Sequence, residues 1–140
     1  MFGRTSDYAL RALIFLARGD TTQYARAGTI AEATGMPANY AGKVLNRLAQ
    51  EGIVESSRGP TGGFRLAVPA RTITTASVVD LFDASTPNRL CILGASLCNP
   101  RRPCAAHARW SAVLDAQRAP LAATTIAALA GTSPQTGRTP

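Results

Sequence analysis

Apolar residues recur at helical spacing near the start of the chain. This spacing predicts an amphipathic core helix that Thr5 or Ser6 can cap. Its apolar face consists of Leu10, Leu13, Ile14 and Ala17. The polar stretch 19–28 that follows predicts a loop.

A second and a third helix are predicted in close succession. Thr29 and Glu32 form a capping box, which predicts a short helix over 30–34. Gly35 should terminate that helix, and Pro37 suits the first turn of the next one, which Gly52 ends. The buried stripe of the third helix should be Ala41, Val44, Leu45 and Leu48. Two helices joined by a tight turn predict a helix-turn-helix.

The outer face of the third helix is polar without being acidic. Asn39, Lys43 and Asn46 lie four and three residues apart and therefore share this face. The second helix of a helix-turn-helix enters the major groove of DNA. We therefore expect Asn39, Tyr40 and Lys43 to reach base edges or flanking phosphates.

A β-hairpin is predicted directly after the third helix. Segments 53–57 and 64–67 have strand composition, and the glycine-rich turn 58–63 joins them. This order of elements predicts a winged helix with Arg58 and Arg65 near the tip of the wing. The turn lacks the lysine of a nucleotide-binding loop, so a wing is favoured over a phosphate cradle. Arg58 is expected to enter the minor groove or to contact phosphate.

The rest of the chain is predicted to contain one more domain helix and a dimerisation helix. Thr74 or Thr75 should cap a helix that ends near residue 84 and completes a winged helix-turn-helix domain over 1–84. After an irregular segment, 85–103, alanine-rich helical sequence covers 104–130.

Pro120 is expected to kink or interrupt this last helix before a further helical piece over 121–130. A long helix that leaves a small domain usually packs against a partner, so we expect a homodimer. The polar tail, 131–140, is predicted to be disordered.

Basic residues outnumber acidic ones. Fifteen lysines and arginines against eight acids give a formal charge of +7, and all the basic residues except Lys43 are arginine. The planar guanidinium suits phosphate and guanine edges, which favours double-stranded DNA as the partner. For a dimer, the operator should be an imperfect palindrome. The chain shows neither a secretory signal nor a membrane-spanning apolar run, which predicts a cytoplasmic protein.

All the cysteines and the single histidine lie within 17 residues, as Cys91, Cys98, Cys104 and His107. Three thiolates and an imidazole make a ligand set that suits zinc or an iron-sulfur cluster. An odd number of cysteines in a reducing cytosol disfavours a disulfide framework. The spacing therefore predicts a metal site.

Three segments together resemble one bacterial family. They are 6–13 in the first helix, the wing turn 58–64, and the cysteine and histidine cluster followed by Trp110. In this order they resemble the winged-helix iron-sulfur transcriptional regulators typified by IscR and NsrR. The resemblance implies a mainly α fold with a small β-hairpin wing, a homodimer, and a cluster whose state alters promoter binding. It implies a regulator of transcription and not an enzyme.

The resemblance also implies a ligand set. Cys91, Cys98 and Cys104 match the cluster cysteines, and His107 matches the fourth ligand of the IscR type. Asp7 matches an aspartate that the other subunit contributes in the NsrR type. Two residues therefore compete for one position. The expected cofactor is a 2Fe-2S cluster in preference to a 4Fe-4S cluster.

Other interpretations stay open. A winged-helix regulator with the same ligands could hold a purely structural zinc ion, although only Cys104 and His107 have the close spacing usual for zinc. A small redox or electron-transfer protein is less favoured, because the chain has no Cys-x-x-Cys motif. Asp7 is also a typical acid of a first helical turn, and His107 and Tyr40 are open to surface and packing roles respectively.

Overall fold

A computed structural model describes residues 3–83, 101 and 105–131. In these ranges the chain forms six α-helices, a 3-10 helix and one antiparallel hairpin. The elements in chain order are α1 (Arg4–Arg18), α2 (Ala27–Thr34), α3 (Ala38–Gln50), β1 (Val54–Ser57), β2 (Gly63–Leu66), the 3-10 helix (Ala70–Thr72), α4 (Thr75–Asp83), α5 (His107–Ala123) and α6 (Ile126–Ala130). The order of elements confirms the predicted mainly α fold with a wing after the third helix.

The core lies between the first three helices, and α6 packs against α1. The predicted apolar stripe of α3 is buried along its whole length. The large side chains that are fully buried include Leu13, Ile30, Leu45, Leu48 and Ile126. Burial of this stripe fixes the orientation of α3, so its polar face must point away from the core.

The starts of α1 and α2 differ from the predictions. Gly3 is the N-cap of α1, and Ser6 is buried inside the helix. Helix α2 begins at Ala27, before the predicted capping box. The reason is a backbone pairing between Ala25 and Phe64, which fixes the chain just ahead of α2 and sets where the helix can start.

The ends of α2 and α3 confirm the predicted glycine stops. Gly35 adopts a left-handed conformation with φ of 72°. The amide of Met36 then donates to the carbonyl of Ala31 at 3.0 Å, as expected for a glycine-terminated helix. Gly52, just beyond α3, has φ of 74°. The turn between α2 and α3 is therefore tight, as a helix-turn-helix requires.

The C-terminal sequence forms two helices, and they divide a few residues later than predicted. Helix α5 continues through Pro120 and ends at Ala123, so the expected interruption at Pro120 is wrong. Proline removes one helical hydrogen bond, and later bonds still form: the amide of Thr124 donates to the carbonyl of Pro120 at 3.0 Å. The helical conformation is interrupted where Thr125 pairs with Thr74. Helix α6 follows and packs against the core.

The predicted division into segments is only partly visible. Helix α4 begins after Thr74, whose hydroxyl accepts a hydrogen bond from the amide of Ser77 at 3.2 Å, as predicted for a cap. The cysteine-bearing segment 85–103, except residue 101, lies outside the described residues, as does the tail from residue 132. The boundaries at 84, 103 and 130 and the dimerisation role of 104–130 stay predictions.

Among the described helices, none is long and apolar enough to cross a membrane.

Candidate nucleic-acid interface

Helix α3 exposes a polar face opposite its buried stripe. Asn39 and Lys43 are exposed, and Asn46 and Arg47 continue the exposed face along the helix. Arg47 forms an ion pair with Glu51, one helical turn further on, with 3.5 Å between Nη1 and Oε1. The face therefore presents the amides of Asn39 and Asn46 and the ammonium group of Lys43, which are groups that can pair with base edges and phosphates.

Tyr40 connects α3 to α1. It is half-buried, and its hydroxyl forms a hydrogen bond with the hydroxyl of Thr5. Its ring meets the ring of Tyr8 edge-on, with centroids 5.9 Å apart and planes at 70°. These contacts favour the packing role for Tyr40, and its predicted contact with DNA stays a prediction.

The glycines of the wing are required by the geometry of its turn. Gly59 has φ of 98°, which side chains other than glycine rarely adopt. A Cβ atom on Gly62 would lie 2.3 Å from the carbonyl oxygen of Ser57. A Cβ atom on Gly63 would lie 2.2 Å from the carbonyl oxygen of Ala25. The turn is therefore tight and holds Arg58 exposed at its start.

Arg65 lies further from the tip than expected. It lies opposite Glu55 in the hairpin. The other pairs of the register are Val54 with Leu66, Ser56 with Phe64 and Ser57 with Gly63. The guanidinium forms an ion pair with Glu55, and this hydrogen bond raises the pKa of Arg65 above its ordinary value. Arg65 also donates to the carbonyl of Thr22 at 2.8 Å. It therefore supports the wing and is less available to DNA than Arg58.

The loop between α1 and α2 contributes to this site, which the sequence analysis missed. Ala25 exchanges two backbone hydrogen bonds with Phe64, at 2.8 and 2.7 Å, and so extends the hairpin by a third short segment. The guanidinium of Arg26 donates to the carbonyl of Pro60 in the wing turn. The polar sequence 19–28 has no periodic signal that would indicate these contacts.

Two of the predicted metal ligands lie among the described residues. His107 is the first residue of α5 and is partly buried. Asp7 lies in the first turn of α1, where it forms an ion pair with Arg11 at 3.0 Å. Cys91, Cys98 and Cys104 lie outside the described residues. In the part of the chain that is described, no three histidine, cysteine or acidic side chains come together as a metal site.

The donor set nevertheless has the right chemistry for the expected cofactor. Three thiolates with one imidazole or one carboxylate suit a cluster of iron and sulfide, and the set with imidazole also suits zinc. The partly buried position of His107, three residues after Cys104 in sequence, is compatible with ligation.

Comparison with known proteins identifies the family. Residues 2–132 match the Rrf2 family, described as "Iron-dependent Transcriptional regulator". The chain belongs to the Rrf2 family of transcriptional regulators. This result confirms the resemblance to the IscR and NsrR type, and it makes the chain a DNA-binding regulator of transcription. Members of the Rrf2 family are typically dimeric, and its relatives are regulators and not enzymes.

Individual relatives agree with this assignment. A protein of Aquifex aeolicus described as an HTH-type transcriptional regulator is 32% identical over 112 residues, which cover 79% of this chain and 77% of that protein. The oxidized form of CymR from Staphylococcus aureus has a TM-score of 0.76 at 25% identity, covering 95% of this chain and 98% of that one. IscR of T. potens has a TM-score of 0.71 at 21% identity, covering 92% and 85%. The chain thus shares its fold with both CymR and IscR.

Proposed function

We propose that this Rrf2 protein is a homodimeric regulator whose binding to promoter DNA is controlled by an iron-sulfur cluster. Cys91, Cys98 and Cys104 would hold the cluster. The observation that carries the proposal is the placement of every cysteine and the single histidine in one stretch of 17 residues. The iron dependence in the description of the family supports it.

His107 is the proposed fourth ligand. It is the first residue of α5 and lies three residues after Cys104, so one turn of chain can bring both to a shared site. The competing carboxylate of Asp7 already has a cationic partner, Arg11, at 3.0 Å. That ion pair is exposed and joins residues one helical turn apart, so it is weak, and the preference for His107 rests on its spacing from Cys104.

The helices on either side of the cysteine-bearing segment provide the route from cluster to DNA. Helix α4 ends at Asp83 and α5 begins at His107, so the segment connects them. The amide of Thr75 donates to the carbonyl of Thr124 at 2.9 Å, which joins the start of α4 to the end of α5. When bound, the cluster would supply a redox-active centre that oxidants, nitric oxide or iron shortage can alter. The protein's own part is to transmit that change through α4 and α5 to the core beneath α3.

DNA binding would involve α3 and the wing. Asn39 and Lys43, with Tyr40 beside them, would face the major groove, and Arg58 would contact the minor groove or phosphate. In a homodimer the two copies would read the halves of an imperfect palindrome. The exposure of Asn39, Lys43 and Arg58 supports this assignment.

The cofactor is tested by purifying the protein without oxygen and measuring its iron, acid-labile sulfide and zinc together with its absorption spectrum. A brown protein that contains iron and sulfide is expected. Cys98→Ser should abolish the visible absorption, and His107→Ala should change it more than Asp7→Asn does. A colourless, zinc-loaded protein would contradict the cluster and would favour the structural zinc site.

Control of DNA binding is tested with duplex DNA that the purified protein selects from a random-sequence pool. The affinity of the cluster-loaded protein should differ at least severalfold from that of protein stripped of iron. Equal affinities would show that the cluster does not regulate binding. Size-exclusion chromatography with light scattering tests the dimer under the same conditions.

A further inference from the structure

The segment 22–26, which precedes α2, holds the wing from outside the hairpin. We call this segment the wing clamp. Its Ala25 donates its amide to the carbonyl of Phe64 at 2.8 Å and accepts from the amide of Phe64 at 2.7 Å. Gly63 allows this approach, because a Cβ atom there would lie 2.2 Å from the carbonyl oxygen of Ala25. The backbone of β2 is therefore fixed to the clamp.

The clamp also holds the middle of the hairpin through Arg65. The Arg65 guanidinium donates to the carbonyl of Thr22 at 2.8 Å and lies 4.4 Å from the centre of the Tyr24 ring. Its ion pair with Glu55 connects both strands to the same contact. The strands of the wing thus have two attachments to the clamp, and neither of them reaches the turn.

Arg26 makes the contact that reaches the turn. Its guanidinium donates to the carbonyl of Pro60, two residues after Arg58. Glycines flank this position at Gly59 and Gly62, and glycine leaves the backbone with more conformational freedom than other residues. The bond from Arg26 holds the Pro60 peptide from outside the hairpin, next to Gly59, whose backbone is the freer of the two because the ring of Pro60 fixes φ.

We infer that Arg26 is a positioning residue for DNA binding, which holds the wing turn so that Arg58 is presented to the DNA. The inference is independent of the cluster and rests on the proposed contact of Arg58. A flexible loop must be ordered when it binds, and a loop held beforehand in the bound arrangement loses less conformational entropy. Arg26 is itself exposed, so direct contact with phosphate is the alternative that the experiment must separate.

The test is a double-mutant cycle measured on the duplex that the wild-type protein selects from a random-sequence pool. Arg26→Ala should weaken binding about three- to tenfold, as expected for the loss of one hydrogen bond. Arg26→Lys, which keeps a donor and the charge, should restore most of the affinity. In the Arg58→Ala background, Arg26→Ala should have no further effect, because the two residues act through one contact. Arg71→Ala, at an exposed arginine of the 3-10 helix, is the control.

A second measurement follows the wing without DNA. Nuclear magnetic resonance relaxation of the Gly59 and Gly62 amides should show increased motion in Arg26→Ala and wild-type motion in Arg26→Lys and Arg58→Ala. Unchanged relaxation in Arg26→Ala would overturn the inference, as would an Arg26→Ala effect that multiplies with that of Arg58→Ala. If Arg58→Ala weakens binding and Arg26→Ala does not, the inference alone fails. If Arg58→Ala binds normally, the proposed wing contact fails together with the inference.

Discussion

Arg118 donates two hydrogen bonds to the carboxylate of Asp80, from Nη1 to Oδ1 at 2.8 Å and from Nη2 to Oδ2 at 2.5 Å. Asp80 belongs to α4 and Arg118 to α5, so the pair joins the two helices that flank the cysteine-bearing segment in sequence. The hydroxyl of Thr75, the first residue of α4, donates to the carbonyls of Leu121 and Thr124 at the C-terminal end of α5. The helices are therefore held together at two levels along their length.

Asp80→Asn should lower the free energy of unfolding by about 0.5–1 kcal/mol, since bidentate geometry strengthens an ion pair and exposure to water weakens it. The side chains of Arg118 and Asp80 are 61% and 39% exposed, so the effect should shrink at high salt. Urea denaturation at low and high sodium chloride measures it. Glu32→Gln, at an exposed acid of α2, is the matched control. Equal stabilities of the two variants would show that the pair contributes nothing.

Gly63→Ala should destabilise the protein by about 1–3 kcal/mol and disrupt the wing, because it forces strain on a backbone that only glycine adopts easily. Gly63 has φ of 141°, and an added Cβ would lie 2.2 Å from the Ala25 carbonyl oxygen. Thermal unfolding and DNA affinity report the two effects. Gly28→Ala, in α2 with no atom within 4 Å of the added Cβ, should be neutral or stabilising. A Gly63→Ala variant as stable as Gly28→Ala would contradict the close approach.

The elements that the sequence predicted well depend on local chemistry. The stripe of Ala41, Val44, Leu45 and Leu48 has a helical period, and the structure buries it. Gly35 lies where the chain needs a left-handed residue, which glycine supplies without strain. Such features involve residues close together in sequence, so periodicity and turn chemistry are sufficient to find them.

The features that were missed depend on residues far apart in sequence. The start of α2 follows from the pairing of Ala25 with Phe64, and no local pattern predicts that pairing. The end of α5 follows in the same way from the pairing of Thr74 with Thr125. The ion pair of Arg65 could have been predicted once the hairpin register was known, because the register places the opposite charges of Glu55 and Arg65 across from each other. The cysteines of the candidate site lie outside the described residues, so their assignment stays a prediction.

The hydrogen bond between Tyr40 and Thr5 should stabilise the contact of α3 with α1. Tyr40→Phe should lower the free energy of unfolding by about 1 kcal/mol, and Thr5→Val by a similar amount. The double variant should lose less than the sum of the two, because both changes remove one interaction. Denaturant unfolding of the four proteins completes the cycle. Strict additivity would show that the hydroxyl groups do not interact, and a large loss of DNA affinity in Tyr40→Phe would favour the predicted DNA contact.

The carboxylate of Asp20 should titrate below the ordinary aspartate value of about 3.9. The hydroxyl and the amide of Thr22 both donate to Asp20 and lower its pKa, and the hydroxyl has the larger effect. A lowered pKa stabilises the folded state above the unfolded value, and that stabilisation is lost as the pH falls through the folded value. Carbon-13 chemical shifts of the carboxyl group measure the midpoint. Thr22→Val should raise the midpoint and Thr22→Ser should not; equal midpoints in both variants would contradict the role of the hydroxyl.

Asn39 and Lys43 should contribute differently to DNA binding, although they share the exposed face of α3. An amide can pair with the edge of adenine, so Asn39→Ala should reduce discrimination at one base pair by about 1–3 kcal/mol without changing the salt dependence. An ammonium group acts mainly as a point charge, so Lys43→Ala should weaken binding to all sequences. It should also lower the slope of log affinity against log salt by about 0.9.

These two effects are measured on the selected duplex and on its single-base-pair variants at several salt concentrations. Gln50→Ala, an exposed polar residue at the last position of α3, is the control. If Asn39→Ala instead weakens all duplexes equally, Asn39 contacts phosphate or sugar. The recognition of sequence must then depend on other residues, or on the shape of the DNA near the wing.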